Sequence, residues 1–142
     1  LISSKNSALS PRSRQVPMKS LPRYPLILPS RPNSNRMRIE VQLAHRGLKP
    51  TLAFEVDGIA SLLDLVHEDY GHTVLPLSSL RGHRFASELV ACPIVNPGLT
   101  IQLSLVVSAT RPMTPLMRGF LELVRETVDA ILLTNEPVRC GR

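Results

Sequence analysis

The 142-residue chain is 43% apolar and 20% charged, a balance that fits one soluble globular domain with a real core and excludes disordered, collagen-like and membrane-embedded classes. Its longest apolar runs, such as Leu103-Ser104-Leu105-Val106-Val107, fall far short of the roughly 18 residues a membrane helix needs. Charge is lopsided: residues 1–50 hold ten Lys or Arg against Glu40 alone, a net +9, and residues 51–142 hold seven against ten acids, a net −3. A basic half invites a nucleic-acid partner, but Tyr24 is the only aromatic residue there, and the basic residues are scattered through Pro- and Ser-rich sequence. A solvated surface or an anion-attracting cleft fits that pattern better.

The chain opens on Leu1-Ile2-Ser3-Ser4-Lys5, with no initiator Met and no basic-then-apolar leader, and reads as a strand within a fragment. Residues 6–23, rich in Ser, Pro and Arg, form a connecting loop. Pro25-Leu26-Ile27-Leu28-Pro29 is a short apolar run bounded by prolines, as a buried strand would be. A helix follows, capped by Asn33 or Ser34, with Met37, Val41, Ala44 and Leu48 as its apolar stripe and Gly47 as its stop. Thr51 to Val56 forms a second strand. Asp57 then caps a helix whose apolar face is Ile59, Leu62, Leu63, Val66 and Tyr70, closed by Gly71. Thr73-Val74-Leu75 is a third strand, stopped by Pro76. This order of strands and helices calls for an α/β fold with a parallel sheet and helices packed on it. Further on, Leu89–Val95 and Thr100–Val107 form two strands around the turn Asn96-Pro97-Gly98. Thr114-Pro115 opens a long amphipathic helix marked by Leu116, Phe120, Leu123, Val124, Thr127 and Ile131, and residues 133–142 are a tail.

Ligands of a parallel sheet dock outside the carboxyl ends of its strands. Three loops gather there: Pro29 to Asn35, Val56 to Ser61, and Leu75 to Ser79. Ser30, Arg31, Pro32, Asn33 and Ser34 combine hydroxyls, an amide, a guanidinium and a helix N-terminus, a set suited to a small polar or anionic ligand. The same residues also serve as a plain helix cap beside a solvated arginine. Asp57 and Gly58 open the second helix, and the carboxylate can both cap and bind. His45, His67, His72 and His83 lack metal-ligand spacing. No nucleophile elbow, Gly-rich phosphate loop or Cys/His pair is present, so no catalytic residue, metal or cofactor is expected. Cys92 and Cys140, without C-x-x-C spacing, read as a buried thiol and a loose one, which fits a reducing cytoplasm.

Taken in order, these segments resemble the effector-binding region of LysR-type transcription regulators. Tyr24-Pro25-Leu26-Ile27-Leu28-Pro29-Ser30, the helix ending in Arg46-Gly47-Leu48-Lys49-Pro50, and Glu55-Val56-Asp57 leading to Leu62-Leu63-Asp64-Leu65-Val66 all carry the likeness. So do Gly71-His72-Thr73-Val74-Leu75-Pro76 and the Thr-Pro-led final helix. Within the family, the chain looks most like the nitrogen-assimilation-control branch. The resemblance implies one parallel-sheet lobe of a two-lobed domain of the type 2 periplasmic-binding-protein kind, with a C-terminal helix belonging to the other lobe. Residues 1–132 would be a partial effector-binding domain. Within it, 5–102 would be mainly the second lobe, and 1–4 and 103–132 would supply the crossing strands and a first-lobe helix.

The resemblance further implies a small-molecule effector held by Ser30, Arg31, Pro32, Asn33, Ser34, Asp57, Gly58 and the return strand at Leu103. It implies a cytoplasmic regulator that self-associates as a dimer or tetramer, without a membrane. DNA would be bound only through an N-terminal helix-turn-helix that this sequence does not contain. The alternative is a solute-binding protein of a transport system with the same two-lobed fold. An α/β enzyme would need a nucleophile or metal set that the residues do not offer.

Overall fold

The computed structural model describes residues 1–11, 13–100 and 104–133, with the side chains of Leu132 and Leu133 left aside. The described residues divide into two compact units, one running from Leu1 to Thr100 and the other from Ser104 to Leu133.

The first unit is built around a mixed sheet. Its short strands are β1 (Ile2–Ser4), β2 (Val16–Pro17), β3 (Leu26–Leu28), β4 (Leu52–Glu55), β5 (Leu89–Ala91) and β6 (Ile94–Val95). The helices α1 (Ser34–Ala44) and α2 (Ile59–His67) connect β3 to β4 and β4 to the segment at His72 and Thr73. β3 and β4 pair in parallel, His72 bridges β3 in parallel, Thr73 bridges Ile2 antiparallel, and β1 pairs antiparallel with β5. The spatial order is therefore β4, β3, the 72–73 segment, β1, β5. β2 and β6 form a separate parallel pair.

Alternation along β3 divides the core. Leu26 and Leu28 join Ile39 and Leu43 of α1 in one cluster, and Ile27 joins Leu62, Leu63 and Val66 of α2 in the other. Successive strand residues point to opposite faces, so α1 and α2 cover opposite sides of the sheet. The chain steps from β3 one way to β4 and then back across β3 to residue 72. Parallel crossovers of one hand that run in opposite directions place their helices on opposite faces.

Several expectations are corrected here. The buried stripe of α1 is Arg36, Ile39 and Leu43, while Met37 and Val41 are about half exposed at 50% and 48%. The helix carries two apolar rows on nearly opposite sides, and the one that packs includes an arginine. On α2 the faces agree at Leu62, Leu63 and Val66, but Ile59 and Tyr70 are exposed. The third parallel strand is reduced to bridges at His72 and Thr73, with Thr73 Oγ1 donating to the Ile27 carbonyl at 2.9 Å. Leu89–Val95 is broken at Cys92-Pro93. β6 then pairs with β2 rather than forming a hairpin around the Asn96–Gly98 turn, and residues 104–107 are not strand. Cys92 is buried as expected, and Cys140 lies outside the described residues.

The second unit contains α3 (Pro115–Leu133). Thr114 caps it as expected, its Oγ1 accepting from the Met117 N–H at 3.2 Å and its carbonyl from the Arg118 N–H at 3.0 Å. Leu116, Phe120, Leu123 and Ile131 are exposed along it. No helix among the described residues is long and apolar enough to cross a membrane.

Candidate functional site

The loop after β3 turns toward α1, and the loop after β4 turns toward α2 on the other face. Adjacent parallel strands whose loops diverge in this way leave a crevice at their carboxyl ends. The two loops meet across it. The Ser30 N–H donates to Asp57 Oδ1 at 3.0 Å, so residues from two separate connections share one rim.

This contact changes the expected role of Asp57. It is not the cap of α2. Gly58 occupies that position with φ +97 and no side-chain capping bond, a backbone conformation that glycine adopts without a Cβ penalty. The Asp57 carboxylate is thereby released to hold the neighbouring loop.

At the start of α1 the capping expectation settles on Asn33. Its Oδ1 accepts from the Asn35 N–H at 3.0 Å and the Arg36 N–H at 3.2 Å. The cap takes up two donors that an anion would otherwise use. Ser34 is the first residue of the helix and is exposed, as are Arg31 and Pro32. The Asn35 amide donates to the Val74 carbonyl at 2.8 Å, joining the helix to the neighbouring segment of the sheet. Replacing Asn33 with alanine is expected to cost about 1 kcal/mol, read as a lower urea midpoint, while Asn33→Asp keeps the cap and most of the stability. Equal stability of Asn33→Ala and the parent chain would remove this role.

Arg31 is not a bare cation. Its guanidinium donates to Glu40 Oε2 at 2.8 Å, with the side chain 66% exposed. Beneath it lies a group that the sequence pattern missed. Arg36, 6% exposed, donates to Glu40 at 2.9 Å, to Glu55 at 2.9 Å and to the Pro29 carbonyl at 3.0 Å. It thus ties α1, β4 and the loop after β3 together. Its hydrogen bonds to Glu55 and then to Glu40 push the Arg36 pKa further up and keep it charged despite burial. Burial raises the Glu40 carboxyl, but hydrogen bonds from Arg36 and Arg31 outweigh that and hold it below the usual range. Glu55 is held low by its hydrogen bond from Arg36. One signal was available in the sequence: Arg36 and Glu40 stand four apart on a helix, the spacing of an ion pair.

Ser30, Arg31, Pro32, Asn33, Asp57 and Gly58 thus lie on two adjoining loops, Ser34 opens α1, and Leu103 falls outside the described residues. Arg31 and Arg36 face two carboxylates here, Glu40 and Glu55, so an incoming anion must take Arg31 from Glu40 rather than meet a free charge. Among the described residues no set of three or more His, Cys, Asp or Glu side chains converges as a metal site.

The LysR substrate binding domain model matches residues 1–129. The chain belongs to the LysR substrate-binding domain family. It is a ligand-sensing regulatory domain with the periplasmic-binding-protein-like fold of that family. The probable nitrogen assimilation transcriptional activator of Synechococcus elongatus is 30% identical to this LysR domain over 94 residues, which is 66% of the chain and 30% of that protein. The crystal structure of HinK, a LysR family regulator from Pseudomonas aeruginosa, superposes with a TM-score of 0.70 at 21% identity, over 89% of the chain and 43% of HinK. A second structure from the same organism, the PA01 protein assigned to the LysR family, gives 0.72 at 21% identity, over 90% and 45%. The chain therefore spans less than half the length of each of these relatives. All of them are regulators, which leaves the transport alternative without support.

Proposed function

We propose that this LysR domain senses a small polar or anionic effector at the crevice between the loop after β3 and the turn at residues 56–58. In the longer protein, binding would favour one arrangement of the two lobes over another and so change how the attached, self-associated DNA-binding part holds its site. A ligand shifts such an equilibrium only by its difference in affinity for the two states. The observation that carries the proposal is the Ser30–Asp57 bond, which joins two loops at the diverging strand ends. Arg31 offers the ligand an exposed guanidinium, and Glu40 retains Arg36 when Arg31 leaves. Acting on DNA, such a regulator would work in the cytoplasm, and none of these steps requires covalent chemistry.

Thermal-shift screening of the complete regulator against small carboxylates and neutral polar metabolites tests this. A carboxylate that stabilises the parent protein is expected to bind Arg31→Ala on the order of tenfold more weakly, the size of one charged hydrogen-bonded contact. Carboxylates that stabilise both proteins equally would remove Arg31 from the site.

A further inference from the structure

At the opposite end of α2 from that crevice, a second cluster joins the helix to the segment entering β5. The His67 imidazole stacks on Phe85 with ring centroids 3.8 Å apart and planes 6° from parallel. Its Nε2 lies 2.9 Å from Glu88 and its Nδ1 3.2 Å from Glu68. A neutral imidazole has one N–H and one lone pair, so one of these carboxylates would face a lone pair. Only the doubly protonated ring donates to both. A protonated ring over Phe85 also gains attraction from the aromatic face.

Other charged groups here are already engaged. Asp64, one turn earlier on α2, faces Arg84 at 3.1 Å and His83 at 3.4 Å, and Arg84 also lies over the Phe85 ring at 4.6 Å. Lys5, just past β1, donates from its backbone N–H to the Glu88 carbonyl at 3.0 Å and from Nζ to the Ser87 carbonyl. Asp69 and Arg81 are the remaining charges in the two segments. Glu88 is thus a junction: its backbone is held by the residue after β1, and among the described residues its side chain is held by His67.

We propose that the His67–Glu88–Phe85 contact is a pH-sensitive fastener, closed when His67 is protonated, that holds the residues entering β5 against the end of α2. The two carboxylates, Glu88 first, raise the His67 pKa above its ordinary value. A group raised on folding adds stability below its unfolded pKa and loses it as the pH climbs through its folded one. The fastener is therefore closed in acid and released as the pH climbs through that raised pKa. His72, buried against Ser3 with its pKa lowered by desolvation, has the opposite sign, so its titration cannot imitate the fastener.

Amide hydrogen exchange of the full chain, corrected for intrinsic rates and followed from about pH 5.5 to 8.5, tests the proposal, together with an NMR titration of the imidazoles. In the parent chain, His67 is expected to titrate above its ordinary value of about 6.5. Protection at Ala86, Glu88 and the β5 amides is expected to fall several-fold as the pH rises, with α1 unchanged. His67→Gln and, independently, Glu88→Gln should abolish that dependence. Flat protection in the parent chain, a His67 that titrates at or below its ordinary value, or a pH dependence that survives in either variant overturns it.

Discussion

Arg36→Ala is expected to destabilise the first unit by about 2–3 kcal/mol, a discount from the larger cost of breaking a fully buried pair because Glu55 is partly hydrated. The guanidinium satisfies two carboxylates and a loop carbonyl from three elements. Its removal leaves Glu40 and the Pro29 carbonyl short of partners inside the fold. Urea unfolding at neutral pH measures the loss. Arg36→Lys should recover only part of it, since an ammonium on a flexible stem does not reproduce a planar fork. The pH dependence has a definite sign. Both glutamates are held low in the folded state, so their contribution is present above the ordinary glutamate pKa and is lost as the pH falls through the folded value. The gap between parent and variant should therefore narrow below about pH 4.3. A loss under roughly 0.5 kcal/mol, typical of a solvated surface position, would show that the network is ornamental.

Gly71→Ala is expected to cost about 2–3 kcal/mol by overpacking. A Cβ at this position would stand 2.8 Å from the Pro25 carbonyl oxygen, 3.0 Å from Ile27 Cγ1 and 3.4 Å from Ala53 Cβ. Moving the backbone away offers little relief. The next N–H, that of His72, donates to the same Pro25 carbonyl at 2.8 Å, and the Ile27 N–H donates to the His72 carbonyl at 2.7 Å. Relaxation therefore weakens the bridge that joins the 72–73 segment to β3. The check is a urea midpoint alongside faster amide exchange at Ile27 and His72. An unchanged midpoint would mean that the sheet absorbs a methyl group at its centre.

These two residues also mark what could be read from sequence. The run Leu26–Leu28 between prolines, and Leu62, Leu63 and Val66 on α2, were legible because apolar side chains at strand and helix spacing have few other uses. The nearness of Ser30 and Asp57 was legible for a topological reason, since both follow the carboxyl ends of parallel strands. Gly71 was legible as a stop, but not as the point where two backbones nearly touch. Arg36 was hidden: a charged residue is buried only when distant acids neutralise it, and Glu55 belongs to another element. Choosing between two apolar rows on α1 required that same knowledge. Asp57 looked like a helix cap because local spacing cannot show a carboxylate turning to an adjacent loop.

The pairing of β1 bears on how this unit is made. Ile2 hydrogen-bonds with Thr73, and Ile2–Ser4 lies against Leu89–Ala91, so β1 is enclosed by partners translated long after it. On the ribosome its contacts with β5 must wait until nearly the whole unit has emerged. Closure is then non-local, which slows folding, and a nascent chain stalled before Leu89 would display a sticky apolar edge to chaperones and to its neighbours on the same message.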